Sequence, residues 1–250
     1  MNGLVGASVA WLAACRDLLL PRGCAGCDAP DETLCPACLP FFGALRSWRL
    51  PGTSFPCHAC ADYRGPVRQA VLAWKDHGDV ELDRVFARIM ELAVEDAVRA
   101  GGVPAFRGSL LVVPLPSSAR SVRRRGRVHV RPLARAVGGA LAWCGVDARV
   151  VDALTVRGVR SKSVEASDVR SRRRRLSDGV VCRDAEALRG CDVVLVDDIV
   201  TTGSTVAQCA RVVEGAGGRV VAAFALAHTP RPGAVAGCGS FPTPRGTSAG

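Results

Sequence analysis

The segment that decides the fold covers residues 193–205 and reads Val-Val-Leu-Val-Asp-Asp-Ile-Val-Thr-Thr-Gly-Ser-Thr. Its first four residues predict a buried strand, and two carboxylates follow where that strand emerges. A loop of glycine and hydroxyl residues then leads into a predicted helix, whose N-terminus presents N–H groups and a positive dipole end to a phosphate. Because ligands bind at the carboxyl ends of parallel strands, the segment predicts a sugar-phosphate site whose carboxylates accept hydrogen bonds from ribose hydroxyls. An ordinary strand, turn and capped helix is the plainer alternative.

Strand and helix patterns alternate on both sides of this segment. The predicted strands cover residues 110–113, 148–151, 193–196 and 219–226, and the predicted helices cover residues 80–94, 131–143 and 204–214. Unbroken Val-rich strands between helices indicate a parallel sheet with helices on both faces. We therefore expect an α/β domain over residues 63–228. An apolar helix over 1–20 and a Cys-rich segment over 21–62 precede it, and a disordered tail over 229–250 follows.

Charge and composition limit the classes of function. The chain has 250 residues, a formal net charge of +10 and only 5% aromatic residues. Scarce aromatic rings argue against a protein that stacks successive single-stranded bases, whereas a basic excess favours polyanions. Arginine as the ordinary surface cation explains the charge equally well, since Lys75 and Lys162 are the only lysines. Because Arg16-Asp17 interrupts the apolar stretch over 1–20, that stretch predicts a docking helix and no membrane span.

Three Cys-x-x-Cys pairs near the N-terminus predict a metal site. They are Cys24 and Cys27, Cys35 and Cys38, and Cys57 and Cys60. Zn²⁺ takes four soft ligands in a tetrahedron, so six sulfurs make one complete structural zinc site and leave a surplus pair, unless His58 helps to complete a second. Which pairs share the ion stays open, and a redox pair is the alternative. Paired thiols favour a reducing compartment, which places the chain in the cytoplasm. The single cysteines predicted to lie inert in the core are Cys144, Cys182, Cys191 and Cys209.

A second anion-binding region is predicted after the strand over 110–113. Leu115, Pro116 and Ser117 follow that strand, and an arginine-rich stretch that includes Arg125 comes next. Arginine is a good planar partner for phosphate, so we expect a pyrophosphate loop here, with a solvated basic loop as the alternative. The block Arg172-Arg173-Arg174-Arg175 is a weaker candidate, for which a surface helix is an adequate explanation. His77 and His129 are candidate general bases, although a lone histidine is more often structural.

The segment Val196 to Thr205 resembles the 5-phosphoribosyl-1-pyrophosphate (PRPP) signature of type I phosphoribosyltransferases. The resemblance implies that Asp197 and Asp198 hold the ribose hydroxyls and stabilise the positive charge that develops on the sugar. It also implies that the loop residues Thr201, Thr202, Gly203, Ser204 and Thr205 bind the 5′-phosphate. The implied reaction displaces pyrophosphate from C1 of the ribose, and Mg²⁺ neutralises the pyrophosphate.

The combination of an apolar start, Cys-x-x-Cys pairs and a PRPP signature resembles the ComF family, also called GntX-like. The stretch from Gly65 to Gly78 is similar to that family's junction between the Cys-rich segment and the core. The family implies a PRPP-binding protein linked to competence and DNA uptake, with or without phosphoribosyl transfer. The alternative is a non-catalytic adaptor that binds single-stranded DNA or a protein of the competence machinery and senses PRPP. After Gly126 the family tends to have Asn-Gln, where this chain has Arg127-Val128-His129-Val130.

Overall fold

The computed structural model describes residues 23–103, 110–157 and 179–230. The eight strands among them are β1 (Arg46–Arg49), β2 (Pro56–Ala59), β3 (Leu110–Pro114), β4 (Ala148–Val150), β5 (Leu154–Val156), β6 (Val180–Cys182), β7 (Asp192–Val200) and β8 (Arg219–His228). The α-helices are α1 (Gly65–Asp76), α2 (Leu82–Arg99), α3 (Ala119–Arg125), α4 (Val130–Trp143), α5 (Ala185–Leu188) and α6 (Ser204–Gly215). The predicted helix over 1–20, the block Arg172–Arg175 and the tail beyond 230 lie outside the described residues.

Six strands form one sheet in the order β1-β2-β8-β7-β3-β4. Every neighbouring pair is parallel except β1 and β2, which are antiparallel. The predicted parallel α/β sheet is therefore confirmed. Strands β5 and β6 form a separate antiparallel pair, Leu154–Val156 against Val180–Cys182, which the sequence patterns did not predict.

Alternating residues of β7 explain why helices cover both faces of the sheet. Val194 and Val196 pack with the apolar sides of α1, α2 and α4, where Trp74 and Phe86 are fully buried. Val193 and Leu195 point the other way and pack against α6. A strand that is apolar on both sides needs cover on both faces, and these helices provide it.

The Cys-rich segment does not end where the α/β sheet begins. Strand β2 lies inside the predicted segment 21–62, yet it pairs in parallel with β8, with Cys57 opposite Ala223 and Ala59 opposite Ala225. The sheet therefore includes two strands, β1 and β2, that lie before the domain boundary expected at residue 62. Among the described residues, no helix is both long and apolar enough to span a bilayer.

Candidate functional site

The loop between β7 and α6 has the shape that the sequence predicts for a phosphate site. Thr201, Thr202, Ser204 and Thr205 are exposed, and α6 begins at Ser204. The loop is braced internally, because the Thr202 and Ser204 hydroxyl oxygens are 3.0 Å apart. Gly203 has a φ of 77°, and a Cβ added there would lie 2.2 Å from Leu50 Cδ2. Both the backbone conformation and the close approach therefore require glycine.

The two carboxylates lie within β7, next to that loop, in different surroundings. Asp198 is buried, and Asp197 is half-buried. Burial, and then the negative charge of Asp198, raise the pKa of Asp197 well above its usual range. Burial alone would also raise the pKa of Asp198, but His129 and Lys75 outweigh it and hold that pKa well below its usual range. Adjacent carboxylates often divide in this way, one ionised and one neutral.

Lys75 and His129 bind the same carboxylate oxygen. Lys75 Nζ forms an ion pair with Asp198 Oδ2, and His129 Nε2 lies 2.6 Å from that oxygen. Asp198 Oδ1 accepts the backbone N–H of Ile199 at 2.7 Å. The sequence named His129 only as a candidate base and assigned no role to Lys75. The one available signal was that Lys75 is one of two lysines in the chain.

The predicted pyrophosphate loop follows β3 at the same edge of the sheet. Leu115 is buried, and its N–H donates to Val196 O at 2.8 Å. Pro116 and Ser117 are half-buried and line a cavity of about 350 Å³. The arginines that line this cavity are Arg123, Arg131 and Arg183. Arg125 instead turns to α1, where its Nη2 donates to Asp76 Oδ1 at 3.2 Å.

Four of the six predicted ligand cysteines come together. The sulfurs of Cys24, Cys27, Cys35 and Cys38 all lie within 4.8 Å of one another. A tetrahedral zinc site, with Zn–S of about 2.3 Å, separates its sulfurs by about 3.8 Å, so the cluster fits the ion with small adjustments. Burial would raise the pKa of Cys24, but the N–H groups of Cys35 and Gly26 donate to its sulfur and lower that pKa to about 7. Burial, with the neighbouring thiols, raises the pKa of Cys38.

The prediction that Cys57 and Cys60 belong to the metal site is corrected. Cys57 lies in β2 and packs on the α6 side of the sheet, whereas Cys60 packs on the side of α1 and α2. Residues three apart in an extended chain face opposite ways, so the two sulfurs cannot converge on one ion. His58 is occupied as well, by Ser47 Oγ at 2.8 Å and Gly102 O at 3.0 Å. Burial raises the pKa of both thiols to about 12.

The remaining candidates fall in different places. His77 is exposed and lines a cleft of about 730 Å³ beside the first cysteine pair. Cys209 is fully buried in α6, whereas Cys144, Cys182 and Cys191 are half-buried. Of the two candidate bases, His129 therefore lies at the carboxylates and His77 lies at the cysteine cluster.

This chain is matched over residues 121–234 by the family model described as phosphoribosyl transferase domain. It is also 29% identical to DNA utilization protein YhgH of Salmonella typhi, over 82% of this chain and 88% of that protein. YhgH of Escherichia coli strain K12 is 27% identical over the same shares of the two chains. With the four-cysteine cluster, these matches confirm the ComF-family resemblance predicted from the motifs.

Solved structures of phosphoribosyltransferases overlap the chain more loosely. Adenine phosphoribosyltransferase from Thermoanaerobacter pseudethanolicus has 16% identity and a TM-score of 0.35, and the match covers 74% of this chain and 83% of that one. A hypoxanthine phosphoribosyltransferase from Trypanosoma cruzi, crystallised with IMP, has 15% identity and a TM-score of 0.35, with 59% and 65% covered.

Proposed function

We propose that this protein binds PRPP and transfers its phosphoribosyl group, releasing pyrophosphate. The observation that carries the proposal is the position of Asp198. An ionised, buried carboxylate lies at the carboxyl end of β7, directly before an exposed hydroxyl loop and a helix N-terminus. A carboxylate beside a phosphate cradle matches a ligand that has ribose hydroxyls and a 5′-phosphate a few bonds apart.

Each end of PRPP has suitable groups in this arrangement. Thr201, Thr202, Gly203, Ser204 and Thr205 would hold the 5′-phosphate with hydroxyls, N–H groups and the dipole of α6. Asp197 and Asp198 would accept hydrogen bonds from the ribose hydroxyls. Leu115, Pro116 and Ser117 would face the pyrophosphate, beside the arginine-lined cavity. Mg²⁺ would arrive with the substrate, bound to its pyrophosphate oxygens.

The reaction follows from where the charges lie. The bond from C1 to the pyrophosphate oxygen breaks first, and the pyrophosphate leaves with the electron pair of that bond. The ribose ring therefore gains positive charge. The negative charge of Asp198 stabilises that ring. A nucleophile then donates its lone pair to C1.

The cysteine cluster and the relatives complete the proposal. Cys24, Cys27, Cys35 and Cys38 would hold a structural Zn²⁺, with no position left open for catalysis. The relatives' name refers to DNA utilization, so we place the activity in DNA uptake and competence. Paired metal-binding thiols support a cytoplasmic location.

A DNA-binding or partner-binding adaptor that senses PRPP through the same loop is the second candidate, and the relatives' name favours it equally.

Calorimetric titration with PRPP and Mg²⁺ tests the proposal. We expect saturable binding by the zinc-loaded protein and a roughly tenfold or greater loss in an Asp197→Asn/Asp198→Asn variant, because each charge-assisted hydrogen bond contributes about 1.5–3 kcal/mol. Asp147→Asn is the matched control, since Asp147 is exposed just before β4, at the opposite end of the strands. A folded, zinc-loaded protein that binds no PRPP would contradict the proposal and the PRPP-sensing adaptor alike.

A further inference from the structure

His129 connects a carboxylate of the proposed site with an arginine of α3. It immediately precedes α4, and its side chain is buried. On one side its Nε2 lies 2.6 Å from Asp198 Oδ2, and on the other its Nδ1 lies 3.3 Å from Arg125 Nη1. One imidazole therefore bridges Asp198 and Arg125.

The two contacts fix the protonation state of the ring. A guanidinium has only donors, so Nδ1 of His129 must accept from Arg125. A ring with an accepting Nδ1 is neutral and carries its proton on Nε2, and this proton is donated to Asp198. Protonation of Nδ1 would remove the acceptor and place a second cation against Arg125. The geometry therefore requires the neutral tautomer.

The surrounding helices hold the ring in this orientation. The Trp74 ring meets it edge to face, with centroids 5.1 Å apart. Trp74 Nε1 donates to Asp83 at 2.6 Å, and Arg127 binds the same carboxylate and lies over the indole, 5.7 Å from its centroid. A side chain fixed by aromatic packing and by a second layer of hydrogen bonds keeps its rotamer.

The charged groups around the ring come from four elements. Lys75 and Asp76 belong to α1, Asp83 to α2, Arg124 and Arg125 to α3, and Asp197 and Asp198 to β7; Arg127 lies in the α3–α4 loop. Asp76 pairs with both Arg124 and Arg125. Of these groups, Asp198 and Arg125 contact the imidazole itself, and Lys75 contacts the same Asp198 oxygen.

Arg125 has unused hydrogen-bonding capacity. Its side chain is only 10% exposed, and among the described residues its buried Nε has no hydrogen-bond partner. A buried donor without a partner is costly unless a ligand satisfies it. This observation supports an anion near Arg125, and it is independent of the His129 contacts.

We propose that His129 is a positioning residue, which as the neutral Nε2–H tautomer aligns Asp198 for the ribose and holds Arg125 where an anionic group of the ligand can reach it. The inference rests on the proposed PRPP site. Without the imidazole, Asp198 Oδ2 loses a donor and Arg125 Nη1 loses an acceptor, so we expect the affinity for PRPP to fall.

His129→Gln tests the positioning role, because glutamine offers an N–H donor and an oxygen acceptor in place of the ring. We expect His129→Gln to bind PRPP within about threefold of the wild type. His129→Ala should lose roughly tenfold or more in affinity, the equivalent of one charge-assisted hydrogen bond. His77→Gln, which changes an exposed histidine, should bind PRPP as the wild type does.

The measurement is PRPP–Mg²⁺ calorimetry, with circular dichroism and zinc content recorded for each variant. Wild-type affinity in a folded His129→Ala protein would overturn the inference while leaving the PRPP site intact. Binding that His129→Gln fails to restore, in a folded protein, would also overturn it. Absence of PRPP binding by the wild type would instead refute the proposed function, and the inference with it.

Discussion

Gly203 is restricted in two independent ways at the start of the phosphate loop. Its φ of 77° lies in the left-handed region, and the space beside its Cα is filled by Leu50. Leu50 is itself buried, in the turn between β1 and β2. The sequence placed Gly203 in the predicted phosphate loop. It could not predict that a residue about 150 positions earlier fills the adjoining space.

Gly203→Ala should therefore lower the free energy of unfolding by roughly 1–3 kcal/mol, because the methyl group is strained by the backbone and overlaps Leu50. Gly215→Ala is the matched control. Gly215 lies at the end of α6 with nothing within 4 Å of an added Cβ, so its replacement should be neutral or slightly stabilising. Urea unfolding measures both changes. Equal effects from the two substitutions would show that Leu50 and the left-handed backbone impose no constraint.

Among the elements, β2 shows why a motif needs its backbone context. A Cys-x-x-Cys pair can bring both sulfurs to one ion when the chain turns between the cysteines, as it does in Cys24–Cys27, where Cys27 N donates to Cys24 O at 3.2 Å. Cys57–Cys60 has the same spacing, but its residues are extended and pair with β8. The spacing of the cysteines alone does not distinguish the two pairs, because a strand of four residues is too short to show the alternating pattern that predicts a strand.

The element-scale prediction concerns zinc content. Cys57→Ala/Cys60→Ala should retain one zinc per chain, whereas Cys24→Ala/Cys27→Ala should retain none, because only the first pair lies in the four-sulfur cluster. Mass spectrometry of the native protein, with metal analysis of the same sample, gives the number of zinc ions per chain directly. Loss of zinc from a folded Cys57→Ala/Cys60→Ala protein would return that pair to the metal site.

Across the whole molecule, the sequence predicted the elements whose signal is local. Strands β3, β7 and β8 and helices α2, α4 and α6 follow from continuous or periodic apolar residues. The contacts of Asp198 were not predictable, because Lys75 and His129 reach it from other elements and His129 is 69 residues away. Similarly, β1 and β2 are four residues each with few apolar positions, so their place in the sheet is determined by tertiary pairing.

The four-cysteine cluster packs against the same apolar core as one face of the sheet. Cys24, Cys35 and Cys38 pack in the same buried group as Trp74 and Val196. We therefore expect one cooperative transition in urea, in which zinc release, followed with a chromophoric chelator, has the same midpoint as the loss of far-ultraviolet circular dichroism. Zinc release at a clearly lower urea concentration would show instead that the cysteine segment unfolds separately.

Strand β8 pairs on one side with β2 and on the other with β7, and this has a consequence for synthesis. A ribosome makes the cysteine segment first and residues 219–228 almost 200 residues later. Until then β2 has no parallel partner and β7 presents an open edge, a state in which nascent chains aggregate or recruit chaperones. We therefore expect the N-terminal and C-terminal parts of this protein to become native together, once β8 has left the exit tunnel.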